Sequence, residues 1–103
     1  MKTLNKYGVC CDPEIINVYY KDKLNYIQIK IAQTCKGWAV GFDIAEHFSG
    51  TCFPCTINSA KSREDAINRA LDVIRQTDIV QDNPDYQKKI KQFNAQRIQL
   101  TLF

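Results

Sequence analysis

The sequence has little histidine and no long apolar run, and each shortage excludes a class of protein. His47 is the single histidine among 103 residues. Without a grouping of serine, histidine and aspartate, no hydrolytic site is indicated, and we expect a non-enzymatic protein. The longest apolar stretch covers residues 38–42 (WAVGF), far fewer than the roughly 18 residues that a transmembrane helix needs. We therefore expect no membrane partner.

The start of the chain also lacks the pattern of a secretion signal, because Asn5 and Lys6 come before any apolar block. Hydrophobic residues make up 45% of the sequence, too many for an intrinsically disordered chain. The length suits one folded domain. We expect a cytoplasmic protein with an α+β domain over residues 1–80, followed by a basic helix and tail over residues 81–103.

The five cysteines are an odd number, which favours reduced thiols over a disulfide framework in a chain without a secretion signal. Cys52 and Cys55 have C-x-x-C spacing, and His47 lies five residues before Cys52. One hypothesis is a zinc-stabilised interaction domain, in which these three residues and Cys10, Cys11 or Cys35 complete a tetrahedron. Another is a redox pair with an activated first thiol.

Two features weigh against these cysteine hypotheses. Zinc modules normally show two matched pairs, whereas Cys10 and Cys11 are adjacent and do not easily chelate one ion together. A redox pair needs a helix directly after Cys55, but residues 56–59 are typical of strand and loop. Free cysteine usually behaves as a small buried apolar residue. We favour that interpretation and predict no cofactor.

Alternation of apolar and polar residues predicts the strands. Residues 26–31 alternate, Lys36 and Gly37 indicate a turn, and residues 38–44 then place every second apolar side chain on one face. After a longer connection over residues 45–50, residues 51–57 predict a third strand, which Pro54 marks as an edge or irregular one. Residues 15–20 predict an additional strand.

Helices are predicted after the strands. Ser62 is a typical N-cap with Glu64 and Asp65 in the first turn. Apolar residues at helical spacing then form one stripe suited to packing on a sheet: Ala66, Ile67, Ala70, Leu71 and Ile74. Asn83 and Pro84 predict a second, short helix that ends near Asn94. The sequence thus predicts an α+β fold, in which an antiparallel β-meander of three or four strands packs against a helix.

Residues 26–76 resemble the small β-β-β-α accessory domains of phage and mobile elements. The resemblance is carried by Gly37-Trp38, by Pro54 and by the helix start at residues 62–66 (SREDA). It implies a fold and no activity. The plan is also similar to that of double-stranded-RNA-binding domains, but their basic cluster at the start of the final helix is missing here, because Glu64 and Asp65 follow Arg63.

The net charge of +3 is concentrated at the end of the chain. Residues 1–83 hold ten basic and ten acidic side chains. Residues 84–103 hold Asp85 and four basic residues: Lys88, Lys89, Lys91 and Arg97. This asymmetry indicates a partner for the C-terminal segment, although a solvated helix face without a partner would have the same composition. One alternative function is therefore a nucleic-acid-binding module that combines these four residues with exposed aromatics such as Tyr19, Tyr20 or Trp38.

The most specific motif is the final pentapeptide: Gln99, Leu100, Thr101, Leu102 and Phe103. It closely resembles the bacterial sliding-clamp-binding motif, whose favoured form is Gln-Leu-Ser/Asp-Leu-Phe. The resemblance implies that Gln99 hydrogen-bonds at the rim of the clamp pocket and that Leu100 contacts a shallow site. It also implies that Leu102 and Phe103 fill a deep apolar pocket. Thr101 departs from the favoured form but keeps the hydroxyl group of serine.

We therefore expect an accessory protein of bacterial or mobile-element DNA metabolism that docks on the sliding clamp, with DNA as a possible second partner. Sliding clamps of this family are acidic rings, which suits a basic tail. A different interpretation of the same residues is a strand that pairs with an open edge of the sheet, because Ile98, Leu100 and Leu102 alternate. An unpaired strand edge would also allow a homodimer.

Overall fold

The computed structural model describes residues 3–102, with side chains described for residues 3–97. The strands are β1 (Glu14–Asp22), β2 (Asn25–Thr34), β3 (Gly37–Glu46) and β4 (Ser49–Ile57), and the helices are α1 (Arg63–Arg75), α2 (Asp78–Gln81) and α3 (Pro84–Leu102). Each strand pairs antiparallel with the next in the order β1-β2-β3-β4. The predicted α+β meander is confirmed, and the additional strand is β1.

One face of the sheet is buried beneath the helices. The almost fully buried side chains on this face include Ile27, Ile29 and Ile31 of β2 and Phe42 and Ile44 of β3, all at most 2% exposed. All five residues of the apolar stripe predicted in α1 are buried as well. Burial of each large side chain contributes roughly 1.5–3 kcal/mol. This shared core fixes α1 across the central strands.

The start of α1 has the predicted N-cap. The Ser62 hydroxyl oxygen accepts a hydrogen bond from the Asp65 backbone N–H at 3.1 Å. The Asp65 carboxylate accepts from the Lys61 backbone N–H at 3.0 Å and from the Arg69 guanidinium at 3.2 Å. The Lys61 hydrogen bond, followed by the one from Arg69, lowers the pKa of Asp65. Because Asp65 reaches Lys61 rather than the cap residue itself, this is a variant of the capping box.

The connection between β3 and β4 is shorter than predicted. We expected a loop over residues 45–50, but Glu46 pairs with Ser49 and a two-residue turn joins the strands. His47 makes this possible by adopting a left-handed conformation with φ of +54°, since such turns need positive φ. The His47 backbone N–H also donates to the Asn25 side-chain oxygen at 3.2 Å. The tips of the two hairpins therefore lie side by side.

β4 is an irregular edge strand of the sheet, as Pro54 predicts. Val40 pairs with Thr56 and Phe42 pairs with Phe53, so that Pro54 and Cys55 together lie opposite Gly41. This arrangement is a β-bulge, in which two residues on one strand face one residue on its neighbour.

The N-terminal segment (residues 3–11) covers one end of the other sheet face. It is a small hairpin in which Leu4 bridges to Cys10, and Val9 bridges to Thr56 of β4. Farther along this face, Ile15 and Tyr20 of β1 are 48% and 52% exposed. We call this the open sheet face, because among the described residues no helix packs on it.

The second predicted helix is α3, and the prediction of its end was wrong. We expected the helix to finish near Asn94, whereas α3 continues to Leu102. Residues 95–102 contain neither glycine nor proline, so no residue type that normally ends a helix is present. The backbone of residues 98–102 is helical. This contradicts the alternative interpretation, in which these residues form a strand that pairs with an edge of the sheet. None of the described helices is long and apolar enough to span a membrane.

Candidate functional site

α3 carries both the basic residues and most of the pentapeptide, and Tyr86 fixes its first half to the sheet. The Asn83 side chain caps the helix by accepting from the Tyr86 backbone N–H at 3.1 Å. The Tyr86 ring is 3% exposed and meets the Tyr19 ring edge-on at 5.6 Å between centroids. Its hydroxyl donates to the Ala45 carbonyl oxygen. Burial, followed by the nearby Glu46 carboxylate, raises the pKa of Tyr86 to about 12.

Arg97 fixes the second half of α3 to α1. Its guanidinium donates to the Glu64 carboxylate at 2.5 Å and to the Asn68 side-chain oxygen at 3.2 Å. It also lies 5.8 Å from the centroid of the Phe93 ring, within cation–π distance. The Arg97 side chain is 17% exposed. Arg97, predicted to belong to a basic surface, therefore lies in a contact between two helices.

The three lysines of the predicted basic surface differ in their surroundings. Lys88 and Lys91 are exposed. Lys89 is half-buried, with its ammonium nitrogen 5.3 Å from the centroid of the Tyr19 ring. Lys88 and Lys91 are three residues apart, so they share one side of α3. The structure therefore leaves two of the four basic residues on an exposed helix surface.

The pentapeptide begins two residues after Arg97. The backbone of Gln99 to Leu102 belongs to α3. The side chains of Gln99, Leu100, Thr101 and Leu102 lie outside the described residues, as does Phe103 as a whole. The contact between Arg97 and α1 therefore marks the last described side-chain attachment before the motif.

The aromatic residues assigned to nucleic-acid binding lie on opposite faces of the sheet. Tyr19 and Trp38 pack against the core on the face that the helices cover. Tyr20 lies on the open sheet face, where its ring stacks on Tyr26 at 5.7 Å. Of the basic and aromatic residues assigned to nucleic-acid binding, Lys89 and Tyr19 are in contact with each other. The predicted surface is therefore divided by the sheet.

The open sheet face carries a polar network that was not predicted from the sequence. The Tyr26 hydroxyl donates to the Asp43 carboxylate at 3.0 Å, and burial together with this hydrogen bond raises the pKa of Tyr26. Next to it, the Gln28 amide donates to Asn17 at 2.8 Å. The signal was present in the alternation, since Tyr26 and Gln28 occupy the polar positions of β2. Finding their partners required the register of three strands.

The alternative zinc site built from His47, Cys52 and Cys55 is not formed. Among the described residues, no group of three or more histidine, cysteine, aspartate or glutamate side chains is arranged to hold a metal ion. Cys52 is exposed, whereas Cys55 is 2% exposed. The Cys55 thiol lies near the Lys30 carbonyl oxygen, with sulfur and oxygen 3.6 Å apart. The burial expected of free cysteine holds for Cys10 and Cys55, whereas the other three cysteines are exposed.

Comparison of the chain with protein-family models, with curated proteins and with solved structures found no match in any of the three. The resemblance of residues 26–76 to β-β-β-α accessory domains therefore stays a prediction. So does the resemblance of the pentapeptide to the clamp-binding motif. Any proposal of function rests on the residues themselves and on the way the fold presents them.

Proposed function

We propose that this chain is a non-enzymatic accessory protein of bacterial or mobile-element DNA metabolism that docks on the sliding clamp through residues 99–103. The observation that carries the proposal is the sequence of this segment. Gln99, Leu100, Leu102 and Phe103 are the residues that the motif favours, and Thr101 replaces serine with another hydroxyl residue. A short set of apolar anchors with one polar end is what recognition in a groove requires.

The attachment of α3 supports this role. Tyr86 and Arg97 hold the helix against the sheet and against α1, and the motif starts two residues beyond Arg97. A motif on so short a tether keeps the domain next to the clamp surface after docking. Lys88 and Lys91 are exposed on the same helix and would increase the rate of encounter with an acidic ring, most strongly at low salt.

A peptide of this size reaches micromolar affinity, which corresponds to about −8 kcal/mol. Such an affinity suits a transient complex, in which the domain binds the clamp and dissociates from it again. It does not suit an obligate complex, which normally buries a much larger area.

The test is a calorimetric titration of a purified bacterial clamp with the intact chain and with a variant that lacks Leu102 and Phe103. We expect a dissociation constant on the order of micromolar for the intact chain and at least roughly 100-fold weaker binding for the variant, because both deep-pocket anchors are removed. A double variant, Lys88→Ala with Lys91→Ala, is the matched control. It keeps the motif, so its dissociation constant is expected to stay on the order of micromolar, because exposed charges act mainly on the association rate.

Circular dichroism must show that all three proteins are equally folded. Equal binding by the intact chain and the truncated variant would contradict the proposal, and so would the absence of binding by both.

A second candidate function is nucleic-acid binding by α3, and the exposure of Lys88 and Lys91 on one side of this helix favours it. Lys88 and Lys91 would then contact phosphates. We expect the affinity for single-stranded DNA to fall with salt, with a slope of roughly 0.7 per neutralised phosphate in a plot of log affinity against log salt. The Lys88→Ala, Lys91→Ala variant should reduce the slope by about 1 to 2, whereas the loss of Leu102 and Phe103 should leave it unchanged. A flat salt response would exclude this candidate.

A further inference from the structure

Cys10 and Cys55 lie next to each other between the N-terminal segment and β4. The Cys10 backbone N–H donates to the Cys55 carbonyl oxygen at 2.7 Å. The neighbouring residues Val9 and Thr56 form an antiparallel bridge, so Cys10 and Cys55 are the next cross-strand pair. They occupy a hydrogen-bonded position of this pairing, where Cα atoms are about 5.5 Å apart, which is within the range of about 4.4–6.8 Å for disulfides.

The two thiols also face the same space. Cys10 and Cys55 are 4% and 2% exposed, and they pack in one small cluster with Ala32 and Ala39. Both cysteine side chains therefore lie in one buried cluster that is separate from the core beneath the helices.

The N-terminal segment presents Cys10 from a preformed turn. The Asn5 side-chain oxygen accepts hydrogen bonds from the backbone N–H groups of Tyr7 and Val9 at 2.9 and 3.0 Å, and Gly8 closes the turn with φ of +77°. Little of the chain must then be ordered to bring the two sulfur atoms together.

We propose that Cys10 and Cys55 form a cross-strand disulfide when the protein meets a small-molecule disulfide such as oxidised glutathione, and that this bond fastens the N-terminal segment to β4. One protein thiolate attacks the small disulfide, so that a mixed disulfide forms and one small thiolate leaves. The second protein thiolate attacks the protein sulfur of that mixed disulfide and expels the other small thiolate. The protein loses two protons and two electrons, and the small disulfide is reduced to two thiols.

The bond would have a measurable effect on stability. It closes a ring of about 45 residues, which restricts the unfolded chain and raises its free energy. For a chain of this length we expect the melting temperature to rise by on the order of 10 °C. Burial, followed by the neighbouring Cys10, raises the pKa of the Cys55 thiol to about 11. Because thiolate is the reactive form, the exchange requires long incubation rather than a brief exposure.

The test uses the full chain with Cys11→Ser, Cys35→Ser and Cys52→Ser, which removes the three exposed thiols. After equilibration with oxidised glutathione, we expect a mass loss of two hydrogens, a link between Cys10 and Cys55 in the peptide map, and the higher melting temperature. A reducing agent should reverse all three changes. Cys10→Ala in the same background is the matched control and should show none of them.

Two results would overturn the proposal. One is a protein that carries glutathione groups without an internal link, and the other is a protein that stays fully reduced. If the triple variant does not fold, the same peptide map is made on the unsubstituted chain. There, a link from Cys55 to any residue other than Cys10, or no link at all, would equally contradict it.

Discussion

Replacement of Gly41 with alanine is expected to lower the free energy of unfolding by about 3 kcal/mol. A Cβ atom at Gly41 would lie 2.7 Å from the Phe53 carbonyl oxygen, 2.8 Å from the Cys55 nitrogen and 2.8 Å from the Pro54 carbonyl carbon. All three are backbone atoms, which cannot rotate away as the end of a side chain can. The bulge of β4 would have to move away from β3, and urea denaturation would measure the loss.

Gly37 supplies the matched control on the same strand. A Cβ atom at Gly37 would meet no other part of the chain within 4 Å, but the φ of this residue is +122°. Gly37→Ala therefore introduces backbone strain without a collision, and we expect a loss of about 1 kcal/mol. If Gly41→Ala were no more destabilising than Gly37→Ala, the close approach of the β4 bulge to Gly41 would be contradicted.

Removal of the Tyr86 side chain is expected to have the second large effect. Tyr86→Ala should lower the free energy of unfolding by about 4 kcal/mol, because it empties a buried position between α3 and β1. Tyr86→Phe keeps the ring and removes only the hydroxyl that donates to the Ala45 carbonyl, so it should cost about 1 kcal/mol.

Urea denaturation of both variants separates ring packing from hydrogen bonding at Tyr86. Similar losses for the two variants would mean that the hydroxyl group, rather than the ring, holds α3. Hydrogen exchange adds a local readout, since the amides of α3 should lose more protection in Tyr86→Ala than the amides of β2 and β3.

The sequence was sufficient to predict the parts of the fold that depend on local pattern. β2 and β3 followed from alternation, and α1 followed from an N-cap at Ser62 and an apolar stripe. The partners of these elements could not be predicted in the same way. The bulge opposite Gly41, for instance, depends on the register between two strands and leaves no local trace except Pro54.

The turn at His47 and the end of α3 show two other limits of local reasoning. Residues other than glycine rarely adopt positive φ, and residues 47 and 48 are His and Phe, so no pattern predicted a two-residue turn there. In α3, the absence of glycine or proline after Asn94 was the available signal. The alternation of Ile98, Leu100 and Leu102 indicated a strand instead, although α3 includes all three residues.

The sequence predicted which residues belong to the candidate site, but it did not predict which residues they contact. The basic residues of α3 were identified from charge alone, yet the ion pair between Arg97 and Glu64 joins residues 33 positions apart. The contact between Cys10 and Cys55 spans an even longer stretch of chain. The C-x-x-C spacing pairs Cys55 with Cys52, which is exposed, whereas the buried neighbour of Cys55 is Cys10 of the N-terminal segment.

The most direct test of clamp docking is a displacement titration. The intact chain is first bound to a purified clamp, and a synthetic peptide with the sequence of residues 99–103 is then added while fluorescence anisotropy follows the labelled chain. If the motif carries the interaction, the peptide displaces the whole chain at concentrations on the order of its own micromolar dissociation constant. A chain that binds the clamp but is not displaced by saturating peptide, or that never binds, would contradict docking through residues 99–103.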